Sequence, residues 1–70
     1  MKNVTIKDEY ITLGQLAKKL DLVSTGGQVK FFLEETSILV NKSPENRRGK
    51  KLFPGDEIEI EGYETIKIEK

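Results

Sequence analysis

The sequence predicts a small α+β domain in which two helices pack on a small, mostly antiparallel sheet. Three observations carry that prediction. Val4 and Ile6 near the start, and Ile58, Ile60, Ile66 and Ile68 near the end, alternate with polar residues at the period of two expected of half-buried strands. Between them, two segments place apolar residues at the i, i+3, i+4 spacing of a helical stripe. Finally, 70 residues can bury one core but not two, so residues 1–70 form a single domain.

Taken in order, Val4 and Ile6 set against Asn3, Thr5 and Lys7 predict a first short strand. Thr12 stands three residues before Gln15 and just ahead of Leu13, Leu16, Ala17 and Leu20, which is the pattern of a capping box opening an amphipathic helix over 12–20. Gly14 near its start weakens that helix by about 1 kcal/mol. The stretch Leu22 to Gly27 interrupts the stripe. A second helix follows with Val29, Phe32 and Leu33 on one side, and Thr25 with Gln28 reads as its cap and reciprocal partner. The β-branched run Ile38-Leu39-Val40 predicts a strand ending at Asn41, and Pro54-Gly55-Asp56 predicts a turn. Strands around Ile58–Ile60 and Ile66–Ile68 complete an order of strand, helix, helix, then three or four strands. About nineteen apolar side chains supply the core; Tyr10, Phe31 and Phe53 are candidate stacking surfaces, but with so small a core Phe31 and Phe53 are expected inside it and Tyr10 is left open.

Composition narrows the function. The chain has no Cys, no His and no Trp. Thiolate chemistry, Cys-type zinc sites and the commonest general base are thereby excluded, so no enzyme activity, cofactor or metal is expected. The longest apolar runs are three residues, so no membrane-spanning helix is expected. The start Met1-Lys2-Asn3-Val4 lacks the apolar core of a secretory signal, which makes a cytoplasmic location the expectation.

Twelve Lys and Arg balance twelve Asp and Glu, but the balance is segregated. Residues 41–51 carry Lys42, Arg47, Arg48, Lys50 and Lys51 against Glu45 alone, a net of +4, whereas residues 56–70 carry a net of −4. Four cations within five positions of one loop repel one another, and a phosphate backbone relieves that repulsion. A solvated hairpin tip kept soluble by its charge is the alternative, and the loop alone does not decide between them. At Thr25-Gly26-Gly27-Gln28, two glycines leave room for a ligand beside a helix N-terminus, whose free N–H groups and dipole favour anions. A tight turn using glycine for its backbone freedom is the alternative there. Lys18 and Lys19 on the first helix and Lys30 on the second lie off the apolar stripes. They either join the loop in one basic face or are ordinary solvated lysines, with Lys30 free to pair with Glu34.

Thr25-Gly26-Gly27-Gln28-Val29-Lys30, Ile38-Leu39-Val40-Asn41-Lys42 and Pro54-Gly55-Asp56-Glu57-Ile58 together resemble the S4 RNA-binding domain, whose pattern runs Ser-Arg-Ser-x-Ala-Arg, Val-x-Val-Asn-Gly and Gly-Asp-x-Ile. The match covers roughly residues 11–61. The short chain and the Gly-Gly form of the first block further resemble small stand-alone bacterial members of the YaaA and YbcJ type. That resemblance implies an S4-like fold (the αL motif) whose two helices and following β-hairpin present a basic surface to structured RNA, ribosomal RNA or tRNA, with a ribosomal subunit as a further candidate partner. Lys30 takes the place of the second arginine, Asn41 and Lys42 that of the Asn-Gly turn, and Gly55-Asp56 closes the hairpin. Gly26 replaces the first arginine and Thr36 the glycine before the strand, which shifts the expected affinity toward the Arg47 to Lys51 loop.

The expected RNA-binding residues are therefore Lys18, Lys19, Thr25, Gly26, Gly27, Gln28, Lys30, Asn41, Lys42, Arg47, Arg48, Lys50 and Lys51. Two other readings remain. The acidic strand region from Glu57 to Glu69 suits a protein-interaction module docking on a basic partner. The Val-Asn and Gly-Asp-Glu-Ile-Glu-Ile segments also resemble the ubiquitin-like sulfur carriers, but the sequence ends Ile66-Lys67-Ile68-Glu69-Lys70, without the diglycine that carrier chemistry activates.

Overall fold

In the computed structural model, which describes residues 1–70, the alternating segments at the two ends of the chain meet in one sheet. The elements run β1 (Lys2–Thr5), β2 (Ile11–Thr12), α1 (Leu13–Lys19), α2 (Gly26–Glu35), β3 (Ile38–Val40), β4 (Ser43–Pro44), β5 (Lys51–Leu52), β6 (Glu57–Ile60) and β7 (Ile66–Glu69). Five of the strands form a sheet in the order β1-β7-β6-β3-β4, and β2 pairs with β5 in a separate antiparallel ribbon. Register follows the apolar alternation. Val4 sits opposite Ile68, Ile58 opposite both Ile66 and Val40, and Ile38 opposite Ile60, so one sheet face is a continuous apolar surface.

Against that face the helices place Leu13, Leu16, Ala17, Val29 and Leu33, and Leu52 joins them from β5. The core is a single cluster of sixteen buried apolar side chains, with Leu20, Leu22, Phe32 and Tyr63 packed around its rim, and no polar side chain is buried. The opposite sheet face carries Glu57, Glu59, Lys67 and Glu69, all half-exposed.

The α+β class, both helices and the mostly antiparallel sheet are as expected. Several details differ. The second helix is followed by five short strands, where three or four are expected, because β4 and β5 have two residues each and are too short to show an alternation. β1 joins the sheet by parallel pairing with β7, a long-range contact without a local sequence signal. The loop from Glu45 to Lys50 is not a hairpin tip: it connects β4 in the large sheet to β5 in the ribbon. Phe31 and Phe53 are outside the core, 63% and 45% exposed, because the inward positions next to them belong to Val29, Leu33 and Leu52.

Candidate nucleic-acid interface

Three orphan amides open α1, and each finds an acceptor. Leu13 N–H donates to the Lys50 carbonyl at 2.9 Å and Gly14 N–H to the Arg48 carbonyl at 2.9 Å, while Gln15 N–H donates to Thr12 Oγ1 at 3.2 Å. Gln15 Oε1 accepts from Thr12 N–H in return, completing the capping box. The basic loop is thus clamped by its own backbone to the start of α1, and the side chain of Arg48 is left to the outside. Gly14 makes this approach possible. A Cβ built there would lie 3.3 Å from Arg48 Cβ, from the Arg48 carbonyl oxygen and from Val29 Cγ1.

The loop is stiffened further by Glu45. Its carboxylate takes a bidentate pair from the Arg47 guanidinium, 2.9 Å to Nε and 3.1 Å to Nη2, and also accepts the Arg47 amide at 3.1 Å. Those hydrogen bonds, with the charge of Arg47, hold the Glu45 carboxyl down to about 2 and raise the Arg47 guanidinium. Arg47 therefore spends its fork inside the loop.

Lys42 is also engaged. Asn41 and Lys42 both adopt positive φ, 50° and 72°, as the two central residues of the tight turn between β3 and β4. Lys42 Nζ lies 3.1 Å from Glu59 Oε1, on the sheet face away from the helices. The Asn41 side chain donates to Asp56 Oδ1 at 3.0 Å and accepts the Glu57 amide at 3.0 Å, while Asp56 Oδ2 accepts the Phe53 amide at 2.8 Å. Asn41 and Asp56 thus hold two turns together.

Lys18, Lys19, Lys30, Arg48, Lys50 and Lys51 have no carboxylate within salt-bridge distance, and Lys30 does not pair with Glu34. Their placement is concerted. Lys18, Gly26 and Arg48 line one cleft of about 260 Å³ between the two helix starts and the loop. Arg48 also borders a second cleft, of about 430 Å³, with Lys30. Lys18 and Lys19 line a third, of about 600 Å³, with Lys7 and Tyr10. Lys50 and Lys51 border a fourth, which shares no lining residue with the other three and also holds Asn41, Glu45, Phe53 and Asp56.

The start of α2 faces the first of these clefts. Thr25 caps it, its Oγ1 accepting Gln28 N–H at 3.3 Å. Gln28 does not return the bond to Thr25, however. Its Oε1 accepts from Ser24 N–H at 2.7 Å, one residue earlier than a capping box requires. Neither Gly26 nor Gly27 has a positive φ, and a Cβ at Gly26 meets nothing within 4 Å. No turn geometry or close packing calls for glycine at Gly26.

Residues 4–69 match the family described as the S4 domain. This chain belongs to the S4-domain family. A protein of Bacillus subtilis (strain 168) named "Probable ribosome maturation protein RlbA" is 48% identical over 65 residues, covering 93% of this chain and 92% of the relative. Within this S4 domain the expected positions divide by geometry into two groups. Lys18 and Lys19 in the last turn of α1, Gly26, Gly27 and Lys30 in α2, and Arg48, Lys50 and Lys51 around the loop have no side-chain hydrogen bond or ion pair, Lys51 lying instead over the Tyr10 ring. Thr25, Gln28, Asn41, Lys42 and Arg47 are occupied by hydrogen bonds or ion pairs within the S4 domain itself.

Sequence reasoning overlooks three features of the S4 domain's surface. Gly14 reads as a mere weakness in a helix, although it is the contact point of loop and helices. Lys7 stands in a segment taken only for its strand alternation. Tyr10 and Phe53 meet each other at a tilt of 50° outside the core. Lys51 and Phe53 turn outward together about the buried Leu52, but a two-residue strand carries no alternation from which that could be read.

Proposed function

We propose that this protein is a non-catalytic RNA-binding module that engages structured RNA, ribosomal RNA in particular, with its helix starts and basic loop. The observation that carries the reading is the division of the cations. Six basic side chains without ion-pair partners border clefts beside the helices and the loop, where Asp8, Glu34 and Asp56 also stand, while Glu57, Glu59 and Glu69 occupy the far face of the sheet. Polyanion binding relieves the repulsion among the first set and keeps the second away from phosphate. The S4-domain family and the ribosome-maturation name of the Bacillus relative support the same partner.

In this reading Lys18, Lys19, Lys30, Arg48, Lys50 and Lys51 contact phosphates. Gly26 and Gly27 let RNA approach the first amides of α2, which Thr25 and Gln28 hold in place. Asn41, Lys42 and Arg47 act by shaping the turn and the loop. With phosphate contacts dominating, recognition is of backbone and shape more than of sequence. Cross-linking the protein to RNA in cells and sequencing the attached fragments tests the proposal. Enrichment of ribosomal RNA is expected, and it should fall sharply for Arg48→Glu. The acidic sheet face makes docking on a basic protein the alternative. Partners that survive RNase treatment undiminished, with no RNA recovered, would favour that alternative and overturn the RNA reading.

A further inference from the structure

Five aromatic residues serve this chain, and three of them are exposed: Tyr10 at 37%, Phe31 at 63% and Phe53 at 45%. Two of the three are neighbours. The β2–β5 register pairs Ile11 with Leu52 on the inward side, so Tyr10 and Phe53 face each other just beyond the ladder on the outward side. Their ring centroids lie 5.8 Å apart at an interplanar angle of 50°, and Lys51 Nζ sits 4.9 Å from the Tyr10 centroid. Tyr10 borders the cleft lined by Lys7, Lys18 and Lys19 with one carboxylate, Asp8, and Phe53 borders the cleft lined by Lys50 and Lys51 with Glu45 and Asp56, whose carboxylates are already engaged by Arg47 and by Asn41 and the Phe53 amide. The aromatic pair is therefore a ridge with cations on both sides.

We infer that this ridge is a stacking platform for an unpaired nucleobase, which makes the preferred ligand an RNA with a bulged or single-stranded nucleotide rather than a continuous duplex. The inference rests on the RNA-binding reading above and specifies the kind of RNA. Phe53 offers the open ring face, Tyr10 braces it at a tilt, and Lys51 covers Tyr10 by a cation–π contact. A base stacked on Phe53 carries its two flanking phosphates toward the lysine-lined clefts on either side. Base stacking on an aromatic ring is sequence-tolerant because every base has a π face. A base held inside a continuous helix cannot reach the ring, since both of its faces are already stacked. Two aromatic rings left in water at the end of a two-residue ribbon do little for the core, where Leu52 is already fully buried.

The test compares binding of an RNA duplex and of the same duplex carrying an adenine bulge, using the full chain and its Phe53→Leu and Phe53→Trp variants. The parent is expected to prefer the bulged RNA by roughly ten-fold, and Phe53→Leu to lose that preference while retaining its duplex affinity and salt dependence. The chain has no tryptophan of its own, so Phe53→Trp supplies a unique fluorophore. Its emission should be quenched by the bulged RNA and not by the duplex. Thermal unfolding of both variants identifies any loss that comes from misfolding. Equal binding of the two RNAs by the parent and by Phe53→Leu, with no selective quenching in Phe53→Trp, would overturn the platform and leave the phosphate-binding reading standing. Failure of the parent to bind either RNA would overturn both.

Discussion

Gly14→Ala is a direct probe of how the basic loop is held. Helix propensity alone favours alanine over glycine by up to about 1 kcal/mol, and by less in a first turn than in a helix interior. Packing opposes it. The added methyl meets three atoms at 3.3 Å, one of them the Arg48 carbonyl oxygen that accepts the Gly14 amide at 2.9 Å, and another Val29 Cγ1 in the buried face of α2. None of these is the loose end of a flexible side chain. The loop must lift off α1 or α2 must shift, and overpacking of this kind costs about 1–3 kcal/mol. The balance is a loss of about 1–2 kcal/mol, which for a domain of this size lowers Tm by roughly 5–15 °C. Circular dichroism melting measures it. Gly26→Ala is the matched control, because its new methyl enters open space, and its stability is expected to be unchanged or slightly higher. A Gly14→Ala protein as stable as the parent would refute the claim that close approach at Gly14 fixes the loop.

Other substitutions test separate parts of the fold. Asp21 holds φ 59° in the left-handed position after α1, with Leu22 N–H reaching the Ala17 carbonyl in a Schellman turn, so Asp21→Gly is expected to add about 0.5–1 kcal/mol in urea unfolding. Glu45 is held at about 2 against an ordinary value of 4.5, so the fold favours its ionised form. Its contribution is complete above pH 4.5 and lost as the pH falls toward 2, and Glu45→Gln should flatten the dependence of Tm on pH across that window. Lys42→Gly exchanges an exposed ion pair, worth at most about 1 kcal/mol, for relief of a φ of 72°. Stability within about 0.5 kcal/mol of the parent and unchanged RNA affinity are expected from denaturation and anisotropy titrations.

The legibility of this chain follows the range of the interactions. The α1 cap is written in Thr12 and Gln15, three residues apart, and the structure contains that capping box as expected. The same spacing at Thr25 and Gln28 gives only half of one, because Ser24 N–H competes successfully for the Gln28 amide oxygen. Pairing of β1 with β7 joins residues at opposite ends of the chain, and nothing local to Lys2–Thr5 specifies it. For the candidate site, the sequence identifies which residues are basic but not which of them are already paired. Arg47 and Arg48 are adjacent and identical in type, yet a carboxylate two residues upstream occupies one and leaves the other free. Phe53 shows the same limit from the apolar side, since β5 is too short for its outward alternation to be read.

Salt dependence of RNA binding tests the central claim most directly, since it counts released counterions without knowledge of the natural RNA. For the parent, with each of the six basic side chains meeting a phosphate, log K is expected to fall against log salt with a slope of roughly −4 to −5. The double variant Lys30→Gln, Arg48→Gln should bind more weakly and lose about two units of that slope, one for each phosphate contact removed. A parent slope near zero, or a double variant with the parent's slope and affinity, would contradict the assignment of the helix and loop face to RNA.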